Sequence, residues 1–208
     1  MKNFLLLIFL LSYFALPAQN HNEKATAALR DLASTLKNTK QIRIEFTFKL
    51  DNKEARVHEE KKGTMWLSGN KYKIMLEGQI IVNDGKAIYT YLPQAKEVQI
   101  SEPDAEGQNL SPLSIISNYE NKYRLKYIKE RKGIMVIDLL PLEGSRFYKI
   151  RLELQSADNQ LKSVTLYERE GNTFTYLVDR YESPRNVDPS LFTFNKNDYP
   201  GIEIVDLR

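Results

Sequence analysis

Two histidines, 27 acidic residues and no cysteine are the inventory from which any catalytic chemistry in this 208-residue chain must be built. Without cysteine there is no thiol nucleophile, thiolate zinc site, iron–sulfur cluster or disulfide framework. His21 lies beside a candidate cleavage site and reads as mobile. His58 sits in Ala55-Arg56-Val57-His58-Glu59-Glu60-Lys61-Lys62, a polar stretch that reads as an exposed hairpin end. A Ser–His–Asp relay would have to rest on His58, and no Gly-x-Ser-x-Gly elbow presents a nucleophile to it. Glu59-Glu60 and Asp104/Glu106 read as solvated loop carboxylates, not as acid/base pairs. Asn83-Asp84-Gly85 opens like a calcium loop, but the spaced oxygen ligands and closing Glu are missing, so it reads as a turn. The expectation is a protein that is not an enzyme, with no catalytic residue, no metal site and no cofactor.

The remaining composition describes a folded domain. Hydrophobic residues make up 42% of the chain, enough for a core, and the 27% that are charged argue against disorder. Thirty Lys and Arg face 27 Asp and Glu with the signs interleaved, so no basic patch marks a nucleic-acid partner.

The first residues read as an address. Met1-Lys2-Asn3 is a short positive start, Phe4 to Leu11 is unbroken apolar sequence, and Leu16-Pro17-Ala18 closes the segment. This is the layout of a secretory signal peptide over residues 1–18, cut after Ala18. The block falls short of the roughly 20 apolar residues a bilayer span needs. Residues 19–208 read as one exported domain.

After the signal comes one helix and then strand upon strand. Asn22 reads as a cap for a helix with Ala25, Ala28, Leu29, Leu32, Ala33 and Leu36 on one stripe, and Asn38 as its stop. The period then changes from 3.6 to 2. Ile42, Ile44, Phe46, Phe48 and Leu50 alternate with polar residues, as in a strand with one buried face. Further strands are expected near Lys62–Ser68, Lys71–Leu76, Ile80–Val82, Lys86–Leu92 and Lys96–Ile100. Glu102–Asn109 reads as a loop, and Ser111-Pro112 as the start of a short helix over Leu113–Tyr119. Beyond it, strands are expected over Tyr123–Lys129, Gly133–Leu140, Phe147–Leu154, Leu161–Tyr167 and Phe174–Tyr181. The end reads as an extended Leu191–Phe194, a turn, and a last strand Ile202–Val205.

About a dozen short strands at hairpin spacing, with no βαβ alternation, predict a mainly β fold in one antiparallel sheet. Such a sheet must curl or find a covering layer, and the amphipathic helices are the available cover. Aromatics and aliphatics on its inner face either fill a barrel or line a cavity for an apolar ligand. Composition supports both readings equally.

Several segments together resemble the LolA family of periplasmic lipoprotein carriers. They are Gly63-Thr64-Met65-Trp66-Leu67, the run Val82-Asn83-Asp84-Gly85-Lys86-Ala87-Ile88-Tyr89-Thr90-Tyr91-Leu92-Pro93, and Ser111-Pro112-Leu113. The ending completes the set: Asp188-Pro189-Ser190-Leu191-Phe192-Thr193-Phe194, then Pro200-Gly201-Ile202-Glu203-Ile204-Val205-Asp206. The resemblance implies an unclosed antiparallel β-barrel of about 11 strands with an α-helical lid over its apolar concave face. It further implies a periplasmic chaperone, acting as a monomer, that takes acylated lipoproteins from an inner-membrane lipoprotein-releasing transporter to an outer-membrane receptor or acceptor. A receptor of the same fold is itself lipidated on a cysteine after its signal, and this chain has no cysteine, so the resemblance is to the diffusing carrier.

On that basis Ile44, Phe46, Phe48, Met65, Leu67, Tyr72 and Ile74 are the expected acyl-chain face, and Leu29, Leu32, Leu36, Leu113 and Ile116 the expected lid. The family often places an Arg after the Trp strand to control the lid. Here Leu67-Ser68-Gly69-Asn70-Lys71-Tyr72 has none, so lid control runs through Lys71 or by another route. Two rival readings stay open: a carrier or sensor of another amphiphile, such as a glycolipid or acylated precursor, and a filled structural or protein-binding module.

Overall fold

The computed structural model describes residues 16–103, 115–116, 119–184 and 186–208, with side chains from residue 21 onward. Helix α1 runs Leu16–Asn38 and stops at the expected residue. Its Ala25, Ala28, Leu29, Leu32 and Leu36 are all buried, so the 3.6-residue stripe is the face that packs. The helix starts six residues before Asn22, which is therefore not its cap. Instead the Asn22 Oδ1 accepts the backbone N–H of Tyr127 at 2.9 Å, fastening the helix to a strand.

Six strands come next: β1 (Ile42–Asn52), β2 (Val57–Ser68), β3 (Lys71–Leu76), β4 (Gln79–Asn83), β5 (Ile88–Leu92) and β6 (Glu97–Ser101). Residues 115–116 are helical, and α2 (Tyr119–Lys122) leads into β7 (Tyr123–Arg131). Then come β8 (Ile134–Pro141), β9 (Phe147–Gln155), β10 (Leu161–Glu168), β11 (Thr173–Glu182) and β12 (Glu203–Asp206). The expected Glu102–Asn109 loop beyond residue 103, the Ser111-Pro112 helix start and Leu113 lie outside the described residues.

All twelve strands form one sheet in the order β12-β6-β5-β4-β3-β2-β1-β11-β10-β9-β8-β7. β12 and β7 are its two ends and do not pair with each other, so the sheet is unclosed. One departure from an all-antiparallel sheet is β12, which runs parallel to β6 because the chain crosses the sheet before adding its last strand. Leu191 and Phe192 are not extended either. They belong to a 3₁₀ turn, Pro189–Phe192, capped by Asp188, whose side chain accepts the Ser190 N–H at 2.9 Å.

Curvature comes from unpaired single residues. The β1–β11 register skips Asp179 on β11, and Ile128, Tyr148 and Lys162 are likewise skipped in their ladders. Each bulge bends its strand and increases the local twist. The result brings Ile88 of β5 and Ile137 and Leu139 of β8 into one buried cluster with helix α1. The outer face of β4–β6 is also apolar, at Ile80, Val82, Tyr89, Tyr91, Val98 and Ile100. There the C-terminal segment lies across it, stacking Phe194 on Tyr89 (5.0 Å) and packing Tyr199 on Tyr91 (4.4 Å). Both faces of β4 are thus covered, which is why Ile80-Ile81-Val82 does not alternate.

β2 begins five residues earlier than expected. Its first part, Val57–Lys62, carries charges on both faces and so shows no hydrophobic period, yet it pairs with β1 throughout. Cross-strand partners supply the missing signal: Lys49 and Glu60 meet at 2.9 Å, and His58 Nδ1 lies 2.6 Å from Asp51 Oδ1.

Candidate functional site

The concave face of the sheet and the buried stripe of α1 form one apolar surface. Ile44, Phe46, Met65, Leu67, Tyr72 and Ile74 on the sheet are all buried with Leu29, Leu32, Leu36 and Ile116 in a single cluster. Period two puts the sheet residues on one face, and the antiparallel register puts Ile44 opposite Met65, which is in turn opposite Ile74. Phe48 is half-buried against the same cluster. Every expected residue inside the described chain is therefore brought together; Leu113 lies outside it.

The other half of the face is contributed by β8–β10: Ile137, Leu139, Ile150, Leu152, Leu154, Val164 and Leu166 are fully buried there. Sequence reasoning placed these residues on strands but not in the site. The strict alternation of Ile150, Leu152 and Leu154 was the available signal.

Aromatic rings line one end of the surface. Phe46 lies 5.9 Å from Tyr176, Phe48 5.2 Å from Tyr176 and 6.4 Å from Phe174, and Phe147 meets Phe174 edge-on at 6.1 Å. The Arg146 guanidinium stands 5.7 Å over both Phe147 and Phe174 and pairs with the buried carboxylate of Glu168, which it holds below the usual carboxylate range. Ionisable groups within the cluster are phenols. Burial pushes Tyr176 up to about 12 and raises Tyr181, whose hydroxyl donates to the Leu161 carbonyl at 3.2 Å. Neutral phenols in an apolar surface are suited to burying hydrocarbon, not to moving protons.

Phe46 owes its position to Gly63, directly opposite on β2. A Cβ at Gly63 would fall 2.3 Å from the Phe46 Cζ, so the ring occupies the space a side chain would take. Gly63→Val should force the ring out and destabilise the fold by about 1–3 kcal/mol. Urea unfolding of the purified variant checks this; an unchanged midpoint would show that the ring can move without cost.

Polar contacts hold α1 down along its exposed side. Lys24 Nζ bonds Glu130 at 2.6 Å, His21 stacks on Tyr127 at 4.8 Å, Asn159 donates to Asp31 at 2.9 Å, and Arg30 reaches Glu120 at 3.4 Å. His21 is exposed yet touches β7 through that ring contact. Lys71, the first residue of β3, is exposed. Among the described residues, the polar contacts of α1 run to β7, α2 and the β9–β10 turn. These side chains carry no periodic signal, so the sequence could not disclose them.

A separate depression of 570 Å³ opens beside β1 and β2, lined by Glu45, Phe46, Lys62, Gly63, Thr64, Met75 and Asp179. Its lining is mostly polar, and it shares only Phe46 with the apolar cluster. Among the described residues, no helix is long and apolar enough to cross a membrane.

The fold and this apolar face can be compared with known proteins. The chain is 26% identical over 186 residues to an outer-membrane lipoprotein carrier protein of Dechloromonas aromatica, covering 86% of this chain and 87% of the relative. A protein of the same description from Shewanella amazonensis is 23% identical over 183 residues, covering 86% and 88%. Among solved structures, an uncharacterized conserved protein from Thermus thermophilus shares the fold with a TM-score of 0.56 at 10% identity, over 88% of this chain and 98% of that one. A putative outer membrane lipoprotein-sorting protein domain from Vibrio parahaemolyticus gives 0.50 at 15% identity, over 88% and 99%. The model of the family described as outer membrane lipoprotein carrier protein LolA matches residues 37–195, from the end of α1 past β11, and the chain belongs to that family.

Proposed function

We propose that the protein is a periplasmic chaperone that buries the acyl chains of lipoproteins between its concave sheet face and helix α1. In this reading it receives them from an inner-membrane releasing transporter and delivers them to an outer-membrane receptor or acceptor. The observation that carries the reading is the shared cluster: the same sheet residues that would hold hydrocarbon are buried in one apolar cluster with three leucines of one helix. Membership of the carrier family supplies the cargo class, and the apolar start of the chain supplies the export route.

The magnitudes are compatible with a reversible exchange. Uncovering Leu29, Leu32 and Leu36 costs roughly 5–9 kcal/mol at about 1.5–3 kcal/mol per buried side chain. An acyl chain that buries about 14 methylenes recovers roughly 11 kcal/mol at about 0.8 each. One chain can therefore displace the helix, while the helix keeps the empty site from exposing its apolar surface.

The test is native mass spectrometry of the protein purified gently from the periplasm, paired with its ability to draw lipoprotein from inner-membrane vesicles supplied with ATP. The expected species is the protein plus one acylated lipoprotein. Protein carrying a different lipid would move the reading to another amphiphile. Unliganded protein that also takes up no apolar dye would leave a filled structural module.

A further inference from the structure

The β1–β2 hairpin leaves part of a strand edge unpaired. β2 pairs with β1 along its whole length, from Leu67 opposite Ile42 to Val57 opposite Asn52. It pairs with β3 only from Gly63 to Ser68, because β3 ends at Leu76, opposite Gly63. Among the described residues, Val57–Lys62 therefore have a strand on one side alone. Residues 57–60 are exposed.

The turn between β2 and β3 fixes which backbone groups face the open side. Gly69, at φ +59°, and Asn70 make a two-residue hairpin loop closed by Ser68 and Lys71. The closing pair of such a loop exchanges both hydrogen bonds, so Ser68, Trp66 and Thr64 point their N–H and C=O toward β3. Period two then turns Lys62, Glu60 and His58 the same way, past the end of β3. Their backbone groups are a ready template for another extended chain.

A second copy of this protein is a poor fit. In any two-fold antiparallel pairing of this edge, the central residue faces itself. Keeping the hydrogen-bonding groups in register places Glu59, Glu60 or Lys61 there, and each sets like charges directly opposite one another. The edge is thus guarded against its own kind, while its mixed charges leave it open to an uncharged strand.

The geometry points to an extended peptide segment of the cargo as the occupant, added as a strand along 57–62. The inference rests on the carrier reading above. On the inner face of the hairpin, Leu50 stands opposite Glu59 and Phe48 opposite Lys61, and both apolar side chains are only half-buried. A lipoprotein's peptide starts at its lipid anchor. Acyl chains held against Phe46 leave the first residues of that peptide about three strand positions, or about 10 Å, from Glu60, and six extended residues span about 20 Å. Main-chain pairing would engage the peptide whatever its side chains, as a carrier of many different lipoproteins requires.

Two fluorescein-labelled diacylated lipopeptides with the same uncharged eight-residue linker test this, one with ordinary linker amides and one with each linker amide N-methylated. The unmodified protein should bind the first roughly tenfold more tightly, the difference expected for two or so net hydrogen bonds. Glu60→Pro removes an N–H that faces the open side and no β1 ladder bond, so it should weaken the first ligand to the level of the second. Glu60→Gln should keep the difference. Equal binding of both lipopeptides by the unmodified protein would overturn the edge assignment and leave the carrier reading standing. Failure to bind either would overturn both. A dimer in sedimentation that Glu60→Pro dissociates would assign the edge to a second copy instead.

Discussion

Phe46→Glu is expected to abolish capture of acylated cargo. The ring is 3% exposed, rests on Gly63 and faces Tyr176. A carboxylate there either stays charged in an apolar surface or takes up a proton, and both cost several kcal/mol. The same penalty applies to any hydrocarbon laid over it. Removing the ring also costs the fold about 3–5 kcal/mol, so the variant's unfolding midpoint should fall. Phe48→Glu separates site from stability. Phe48 is half-buried at the rim, where a carboxylate can reach water, so that variant should fold nearly as well as the unmodified protein yet lose at least about tenfold in capture. Export should be unaffected in both, since neither touches residues 1–18. Either variant drawing lipoprotein from inner membranes at the unmodified rate would mean the concave face is only a core.

Much of the fold is legible in the sequence because hydrophobic periodicity reports burial. The stripe from Ala25 to Leu36 and the alternation from Ile42 to Leu50 each encode a single buried face, and those segments form α1 and β1. β3 matches its expected residues, and β7 to β11 differ only at their ends. Legibility fails where burial is not periodic. The first half of β2 is polar on both faces and is held by Lys49–Glu60 and Asp51–His58 pairs, which a linear reading does not see. Asn22 looks like a cap because caps are read locally, but its oxygen is used by Tyr127, more than a hundred residues away. Asn83-Asp84-Gly85 signals a tight hairpin turn between strands ending at Val82 and resuming at Lys86. The ladder instead closes at Asn83 and Ile88, and the Asp84 side chain accepts the N–H groups of Lys86 and Ala87 within a four-residue loop. Parallel addition of β12 depends on a chain crossing that no local pattern announces.

The candidate site was legible for the same reason and to the same extent. Its sheet residues and helix leucines share the periodic signal of a core, and one face cannot be told from the other by pattern alone. What the structure adds is the set of contacts that hold the helix down: Lys24 to Glu130, Arg30 to Glu120, Asp31 to Asn159 and His21 on Tyr127. They are exposed or partly exposed, and each contributes little.

The central claim is that helix and cargo compete for the same face, and pinning the helix tests it most directly. Lys24 and Glu130 are 2.6 Å apart at their charged atoms and lie off the apolar surface, and the chain has no other cysteine to interfere. In a Lys24→Cys, Glu130→Cys protein, a disulfide-containing bismaleimide would tie the first half of α1 to β7, while residues 39–41 already tie its other end to β1. The measurement is transfer of a radiolabelled lipoprotein from inner-membrane vesicles to the soluble fraction, before linking, after linking and after reductive cleavage of the linker. Near-complete loss on linking and full recovery on cleavage are the expected results. Unimpaired capture by the linked protein would contradict the claim, because cargo would then bind without moving the helix.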